Sequence, residues 1–326
     1  MNKRRKIIFA LGAFATVTWA RVGHAQRVYR IAVLIHGTEH ANRSRLEVLR
    51  AGLKELGYVE GKNLNLSVRW NEAGPERLPD LAAELLRDKP DVFVASNVLS
   101  AQAAFRHTRT VPIVLAGGAG AVKVNLAQSL ARPGGNVTGV TSMGDELASK
   151  RIELLKTIVP GLSRLGVLTT GKSVVHDENM RGAMKAAQVL KLKLIEVRVN
   201  APGDLARLAS ICGKGACQAL FLEQEGELSN WRAQIIDSAA RLRLPAVYYA
   251  AEFPQAGGLI SYSTNNAELF RRAATFVDKI LKGAKPGDLP IEQPTTFELV
   301  VNQKTAQALG IKIPNEILLR ADKVIQ

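Results

Sequence analysis

Apolar positions along the chain alternate between two rhythms. The run "VYRIAVLI" (28–35) is continuous and β-branched, the pattern of a strand buried on both faces. In "RSRLEVLRAGLKELG" the leucines at 46, 49, 53 and 56 recur every three or four residues, which predicts a helix ending at Gly57. The alternation continues with strand "LNLSVRW" (64–70), helix "PERLPDLAAELLRD" (75–88), strand "DVFVAS" (91–96) and helix "LSAQAAFRH" (99–107). Strand "VPIVLAG" (111–117) and a helix over "VKVNLAQSLA" (122–131), stopped by Pro133 and Gly134, complete the first round.

A second round begins at "ELASKRIELLKTIV" (146–159). It runs through strands "RLGVLTT" (164–170), "LKLIEVRV" (192–199), "CQALFLE" (217–223) and "PAVYYA" (245–250). Between them lie helical patterns over 179–191, 203–212 and 228–242. Each round is a βα array, the pattern of a parallel sheet covered by helices on both faces, so an α/β chain of two lobes is expected. The two rounds share this architecture without a close sequence repeat.

Three extended segments fall between or after the rounds: "NVTGVTS" (136–142), "GGLISYS" (257–263) and "TTFELVVN" (295–302). Between the last two lies helix "NNAELFRRAATFVDKILKG", with Leu269, Ala273, Phe276, Val277 and Ile280 on one face. Two lobes joined by three crossing strands would give this order, and such joints bend through few residues. The boundaries read as 26–138 with 264–297 for lobe 1, and 139–263 with 298–326 for lobe 2. Gly139, Ser261 and Leu299 are the expected hinge positions; a rigid inter-domain linker is the alternative.

The stretch "ARPGGNVTG" (131–139) is rich in glycine, but its order is helix, glycines, strand. A phosphate cradle needs strand, glycines, helix, so that the helix amino end faces the anion. No GxGxxG or GxxxxGK[ST] occurs in the chain, so Gly134-Gly135 reads as a helix-stopping turn and no cofactor is expected. Nor is there a GxSxG, an HExxH or a metal-spaced cluster, and neither catalysis nor a metal is expected.

Lys3, Arg4, Arg5 and Lys6 precede an apolar stretch (7–20) too short for a comfortable membrane span. Gly23-His24-Ala25 then suits a signal peptidase, so residues 1–25 read as a signal peptide cleaved after Ala25 and the protein as exported to the periplasm. Cleavage removes five of the 44 basic residues and none of the 29 acidic ones, so the formal charge falls from +15 to +10. The remaining basic residues are scattered rather than striped and aromatics make up 5%, which argues against nucleic acid and for solubility or an anionic ligand. Cys212 and Cys217 either pair across "GKGA" as a disulfide or serve as two small apolar residues.

Longer blocks carry a family likeness: "GLKELGYVEGKNLNL", "RLPDLAAEL", "LARPGGNVTGVTS", "KRIELLKTIVPGLSRLGVL", "AGGLISY" and "VDKILKGAKPGDLPIEQPTTFELVVNQKTAQALGI". From about residue 28 to the end the chain resembles the tryptophan/tyrosine-type substrate-binding proteins of ABC transporters. The resemblance implies two Rossmann-like lobes of the type I periplasmic-binding-protein kind, joined by three hinge strands, with helix 265–282 returning to lobe 1. It also implies closure on a small-molecule solute, an amino acid or carboxylate among the candidates, and delivery to an ABC permease at the inner membrane; the doubled βα array with three crossings reads as a soluble monomer. A ligand-sensing module for a receptor, or an exported enzyme, are the alternatives. The chain departs from the family where it reads "AGGAGAVKVN" in place of a common Asp-Pro pair, and Glu223-Gln224-Glu225 where Pro-Asp or Thr-Asp is frequent. Both departures fall at strand ends, so the family's amino-acid specificity is not carried over.

Ligands of open α/β sheets sit at the carboxyl ends of the strands. That rule selects His36, Gly37 and Thr38, then Ser96 and Asn97, Gly117 and Gly118, Thr170 and Gly171, Glu223 and Gln224, and Tyr248. Ser261 joins them on the second crossing strand. Ser96 and Asn97 open a helix, where they either receive a carboxylate or only cap the helix. Glu223 and Glu225 are placed to accept a ligand ammonium, or form a solvated acidic loop. Of Tyr248 and Tyr249, adjacent on one strand, at most one faces the cleft.

Overall fold

The computed structural model describes residues 27–172 and 176–326; residues 1–25, expected to be a signal peptide, lie outside them. The chain opens with β1 (Tyr29–His36), α1 (Glu39–Glu55), β2 (Leu64–Asn71), α2 (Leu78–Arg87), β3 (Val92–Ala95), α3 (Val98–His107), β4 (Ile113–Ala116) and β5 (Val137–Val140). These strands form one five-stranded parallel sheet in the order β2-β1-β3-β4-β5. The strands are apolar on both sides because helices cover both faces. Leu78, Leu85, Ala101 and Ala104 of α2 and α3 pack on one face with Leu34, Phe93 and Leu115.

The helix expected at 122–131 does not form; the segment is a series of turns. Asn125 takes a positive φ of 58°, the Leu126 N–H bonds back to the Ala121 carbonyl, and Leu126 is buried in the core. With β-branched Val122 and Val124 beside it, the segment has little helix preference to set against burying its apolar side chains locally.

The chain then builds a second sheet from α4 (Asp145–Ile158), β6 (Arg164–Thr169), α5 (His176–Leu190), β7 (Lys193–Arg198), α6 (Arg207–Cys212), β8 (Ala219–Leu222), α7 (Gly226–Asn230), α8 (Arg232–Arg241), β9 (Ala246–Tyr248), α9 (Glu252–Gln255) and β10 (Ile260–Thr264). Cys212 and Cys217 are bonded as a disulfide between α6 and β8. Next, α10 (Asn266–Leu281) leaves this lobe and packs beside α1 on the open face of the first sheet, burying Leu269, Ala273, Phe276 and Val277 against Val94, Val114 and Val140. The chain ends back in the second lobe with β11 (Phe297–Asn302), α11 (Gln303–Leu309), α12 (Asn315–Arg320) and β12 (Lys323–Ile325). That sheet has seven strands in the order β12-β11-β10-β9-β8-β6-β7, and β11 runs antiparallel to β10. The expected α/β fold of two mostly parallel sheets is borne out.

The lobes are connected three times, through 141–144, Asn265 and 293–296. Gly139 lies inside the first sheet in register with Leu115, so lobe 1 runs on through Val140. Ser261 and Leu299 likewise sit within paired strands of the second sheet, in β10 and β11. All three flank the connections rather than forming them. The Pro133-Gly134-Gly135 turn is a packing point: the Gly134 N–H donates to the Gly287 carbonyl at 3.1 Å, and a Cβ on Gly287 would lie 2.9 Å from the Gly135 oxygen. Two stretches of backbone touch there, which glycine alone permits.

Candidate functional site

The carboxyl ends of both sheets face each other across a cleft that encloses about 140 Å³. On the lobe 1 side one hydrogen-bond chain sets the chemistry. Asn97 is the N-cap of α3, and its Oδ1 accepts the Ser100 N–H at 2.9 Å. That cap fixes the amide orientation, so the other end, Nδ2, is the atom 3.3 Å from His36 Nδ1. An amide nitrogen only donates, so Nδ1 is the acceptor and the proton of neutral His36 sits on Nε2. Burial lowers the His36 pKa below its usual value and keeps the ring neutral, against the pull of Glu227 and Glu76. His36 lines the cleft, and its Nε2 is buried without a protein partner. Ser96 Oγ accepts the His36 backbone N–H at 3.0 Å, leaving its own proton to give. Gly118, at φ +82°, brings the β4 loop so close to α3 that a Cβ would lie 2.8 Å from the Val98 nitrogen. This wall presents donors.

The lobe 2 side presents acids. Glu225 lines the cleft with its carboxylate turned toward the end of β6, where Thr169 Oγ1 lies 2.7 Å from Oε1 and the Thr170 hydroxyl and N–H reach Oε2. Burial pushes Glu225 up to about 7, with the Thr170 and Thr169 bonds opposing and nearby Glu223 adding to the rise. Behind it, fully buried Glu223 meets Thr169 Oγ1 at 2.6 Å, His176 Nδ1 at 2.7 Å and Asn179 Nδ2 at 3.3 Å. The coordinating atoms of His176, Glu223 and Glu225 all lie within 4.8 Å of one another; His176 meets Glu223 directly, and Thr169 Oγ1 joins Glu223 to Glu225. Tyr249, just past β9, donates its hydroxyl to the Glu225 carbonyl at 2.6 Å and lies 2.8 Å from Ser229 Oγ.

Contacts across the cleft show the lobes closed on each other. Arg45 of α1 pairs with Glu252 of α9 at 2.8 Å, both partly buried. The Thr38 N–H donates to Asn230 Oδ1 at 3.4 Å. Gly226 lies against the His36 ring, where a Cβ would come within 3.2 Å of it.

Of the residues expected from the sequence, His36, Ser96, Asn97, Gly117, Gly118 and Gln224 line this cleft. Gly37 and Thr38 stand at its rim, where Thr38 caps α1, and Thr170 and Glu223 stand behind Glu225. Gly171 packs against Arg198 instead. Tyr248 faces away from the cleft, stacked on Phe253 at 4.7 Å, and Ser261 is buried inside lobe 2. The tyrosine in the cleft is Tyr249, on the opposite side of the chain from its neighbour Tyr248, the last residue of β9. Asn42, Arg45, Asn179, Asn266 and Phe270 also line the cleft from helices, and no strand-end rule finds them.

Comparison with known proteins agrees with the fold. A tyrosine-binding protein of Clostridioides difficile (strain R20291) is 23% identical over 262 residues, 80% of this chain and 74% of that one. A conserved domain protein of Vibrio cholerae O1 biovar El Tor superposes with a TM-score of 0.86 at 26% identity, covering 91% of this chain and all (100%) of that one. The ABC domain in complex with L-Trp from Streptococcus pneumonia gives a TM-score of 0.85 at 24% identity, with 91% and 100% covered. The family described as ABC transporter substrate binding protein matches residues 30–325, nearly the whole described chain, and the protein belongs to that family.

Proposed function

We propose that the protein captures a single α-amino acid by closing its two lobes over it. The observation that carries this reading is the asymmetry of the cleft. His36 Nε2–H and the Ser96 hydroxyl offer protons from lobe 1, and Glu225 and Glu227 offer carboxylates from lobe 2. A molecule with a carboxylate at one end and an ammonium at the other matches both walls at once. Phe270 and Tyr249 add apolar surface for a side chain, and the relatives named for tyrosine and crystallised with L-Trp make these two amino acids the first to try. Delivery to an ABC permease, from a periplasmic location, completes the proposal, and the family match supports it.

Isothermal titration across the amino acids, with their amides and decarboxylated amines as controls, tests it. Saturable one-to-one binding that is lost in both control series is the expected result. Binding of a sugar or another neutral solute, with no amino acid bound, would overturn it.

A further inference from the structure

The two acids at the back of the cleft meet one hydroxyl. Thr169 Oγ1 lies 2.6 Å from Glu223 Oε2 and 2.7 Å from Glu225 Oε1, and it already accepts the Gly171 N–H at 2.8 Å. A hydroxyl has a single proton to give. It can therefore serve one of the two carboxylates, and the other oxygen, at an ordinary O–H···O distance, must bring its own. The Thr170 hydroxyl cannot make up the difference: it accepts the Lys172 N–H and its proton is directed to Glu225 Oε2. Among the described residues no lysine or arginine forms an ion pair with either acid; His176 is the charged-capable partner, on the Glu223 side.

From this count we propose that Glu223 and Glu225 hold one proton between them while the cleft is empty, and that the ammonium group of a bound amine competes with that proton. The second half rests on the amino-acid reading given above; the first does not. Glu225 is the member of the pair that reaches the cleft, so the ammonium meets Glu225, and Glu223 acts through it as a positioning residue. The proton passes between the two acids through Thr169 Oγ1, with no bond other than O–H made or broken. The other titratable groups around Glu225 are His176 on α5, Glu227 on α7, Tyr249 after β9, Glu252 on α9, Lys172 after β6, and Arg45 and His36 across the cleft. Tyr249 has committed its proton to the Glu225 carbonyl, and Arg45 is engaged with Glu252, so neither neutralises the pair.

The sign follows directly. Burial pushes Glu225 up to about 7, so below that pH the pair holds its proton and the ammonium must displace it; above it the site is already free. Affinity for an amine ligand should therefore be about tenfold tighter at pH 8 than at pH 6, with proton release on binding at pH 6 that vanishes at pH 9.

Infrared spectroscopy of the ligand-free protein reads the proton itself, as the C=O stretch of a protonated carboxyl. The band should be present at pH 6, titrate away toward pH 8, and be missing from Glu225→Gln; Glu223→Gln should shift its titration while leaving the fold intact by circular dichroism. Adding L-tyrosine at pH 6 should abolish it, and titration calorimetry in two buffers of different ionisation enthalpy should show a released proton. A wild-type protein without the band at pH 6 overturns the shared proton. A band that appears only after chelation, with release of a metal ion, overturns it too. If L-tyrosine binds and the band persists with no proton released, the competition is overturned. If no amino acid binds, the reading of the ligand falls, and the band's titration still decides on the proton.

Discussion

Replacing Gly139 by valine should unfold lobe 1 at a lower temperature rather than alter how the lobes bend. Gly139 sits in β5 at φ +122°, and a Cβ built there lies 2.3 Å from the Leu115 oxygen and 2.5 Å from its nitrogen. Both are backbone atoms of β4, which is held on its other side by β3, so the neighbour cannot rotate away as a flexible side chain would. A non-glycine residue in that region of φ costs about 1–3 kcal/mol. Forcing extra atoms into a packed interior adds about 1–3 kcal/mol. A total near 4 kcal/mol corresponds to a fall in Tm of roughly 8–16 °C for a domain of this class. Gly135 is the internal control: a Cβ there meets nothing within 4 Å and its φ is not positive, so Gly135→Ala should be neutral or slightly stabilising. Differential scanning calorimetry on both variants, with ligand affinity measured alongside, is the assay. A Gly139→Val protein with wild-type Tm and altered affinity would refute the packing account and put the glycine back at a point of bending.

Further substitutions at Tyr249, Tyr248, Asn97 and Arg151 separate residues by role. Tyr249→Phe removes the bond to the Glu225 carbonyl and should weaken amino-acid binding by about 1 kcal/mol, whereas Tyr248→Phe, on a side chain turned away from the cleft, should leave titration curves unchanged. Asn97→Asp keeps an oxygen for the α3 cap but turns the atom facing His36 from donor to acceptor, so Nδ1 takes up a proton; melting should hold while affinity changes with a new pH dependence, and an unchanged binding profile would sink the fixed tautomer. Asn97→Ala should instead cost about 1 kcal/mol of stability through the lost cap. Arg151 is fully buried; among the described residues it makes one hydrogen bond, from Nε to the Tyr262 carbonyl at 2.8 Å, with Nη2 unpartnered and a pKa brought down by burial to about 10. Arg151→Met should be neutral or stabilising by about 1–4 kcal/mol in urea unfolding, and a large loss would show that the charge has a partner in solution.

Strands were the most legible feature of the sequence, because strands buried on both faces leave unbroken apolar runs such as "VYRIAVLI" and "DVFVAS". The helix expected at 122–131 shows the limit: its apolar residues are buried by turns, and periodicity alone does not tell the two apart. For the cleft, the strand-end rule reached His36, Ser96, Asn97 and Gln224 because strand ends are fixed by the sheet. Arg45 and Asn179 escaped it because they reach the cleft from one face of a helix, and nothing local marks which face a second lobe will cover. Glu223 and Glu225 stood out by residue type, yet their sharing of Thr169 depends on β6 and β8 being neighbours, a long-range fact.

The return of α10 has a consequence for the order in which the chain can fold as it is made. All five strands of the first sheet are complete by Val140, but Val94, Val114 and Val140 remain without the cover of α10 until residues 266–281 have been synthesised. The second sheet waits longer, since β11 and β12 come last. A nascent chain therefore has no finished domain to offer until nearly its whole length exists, and a fragment cut at Val140 would present a sticky apolar face to any chaperone that meets it.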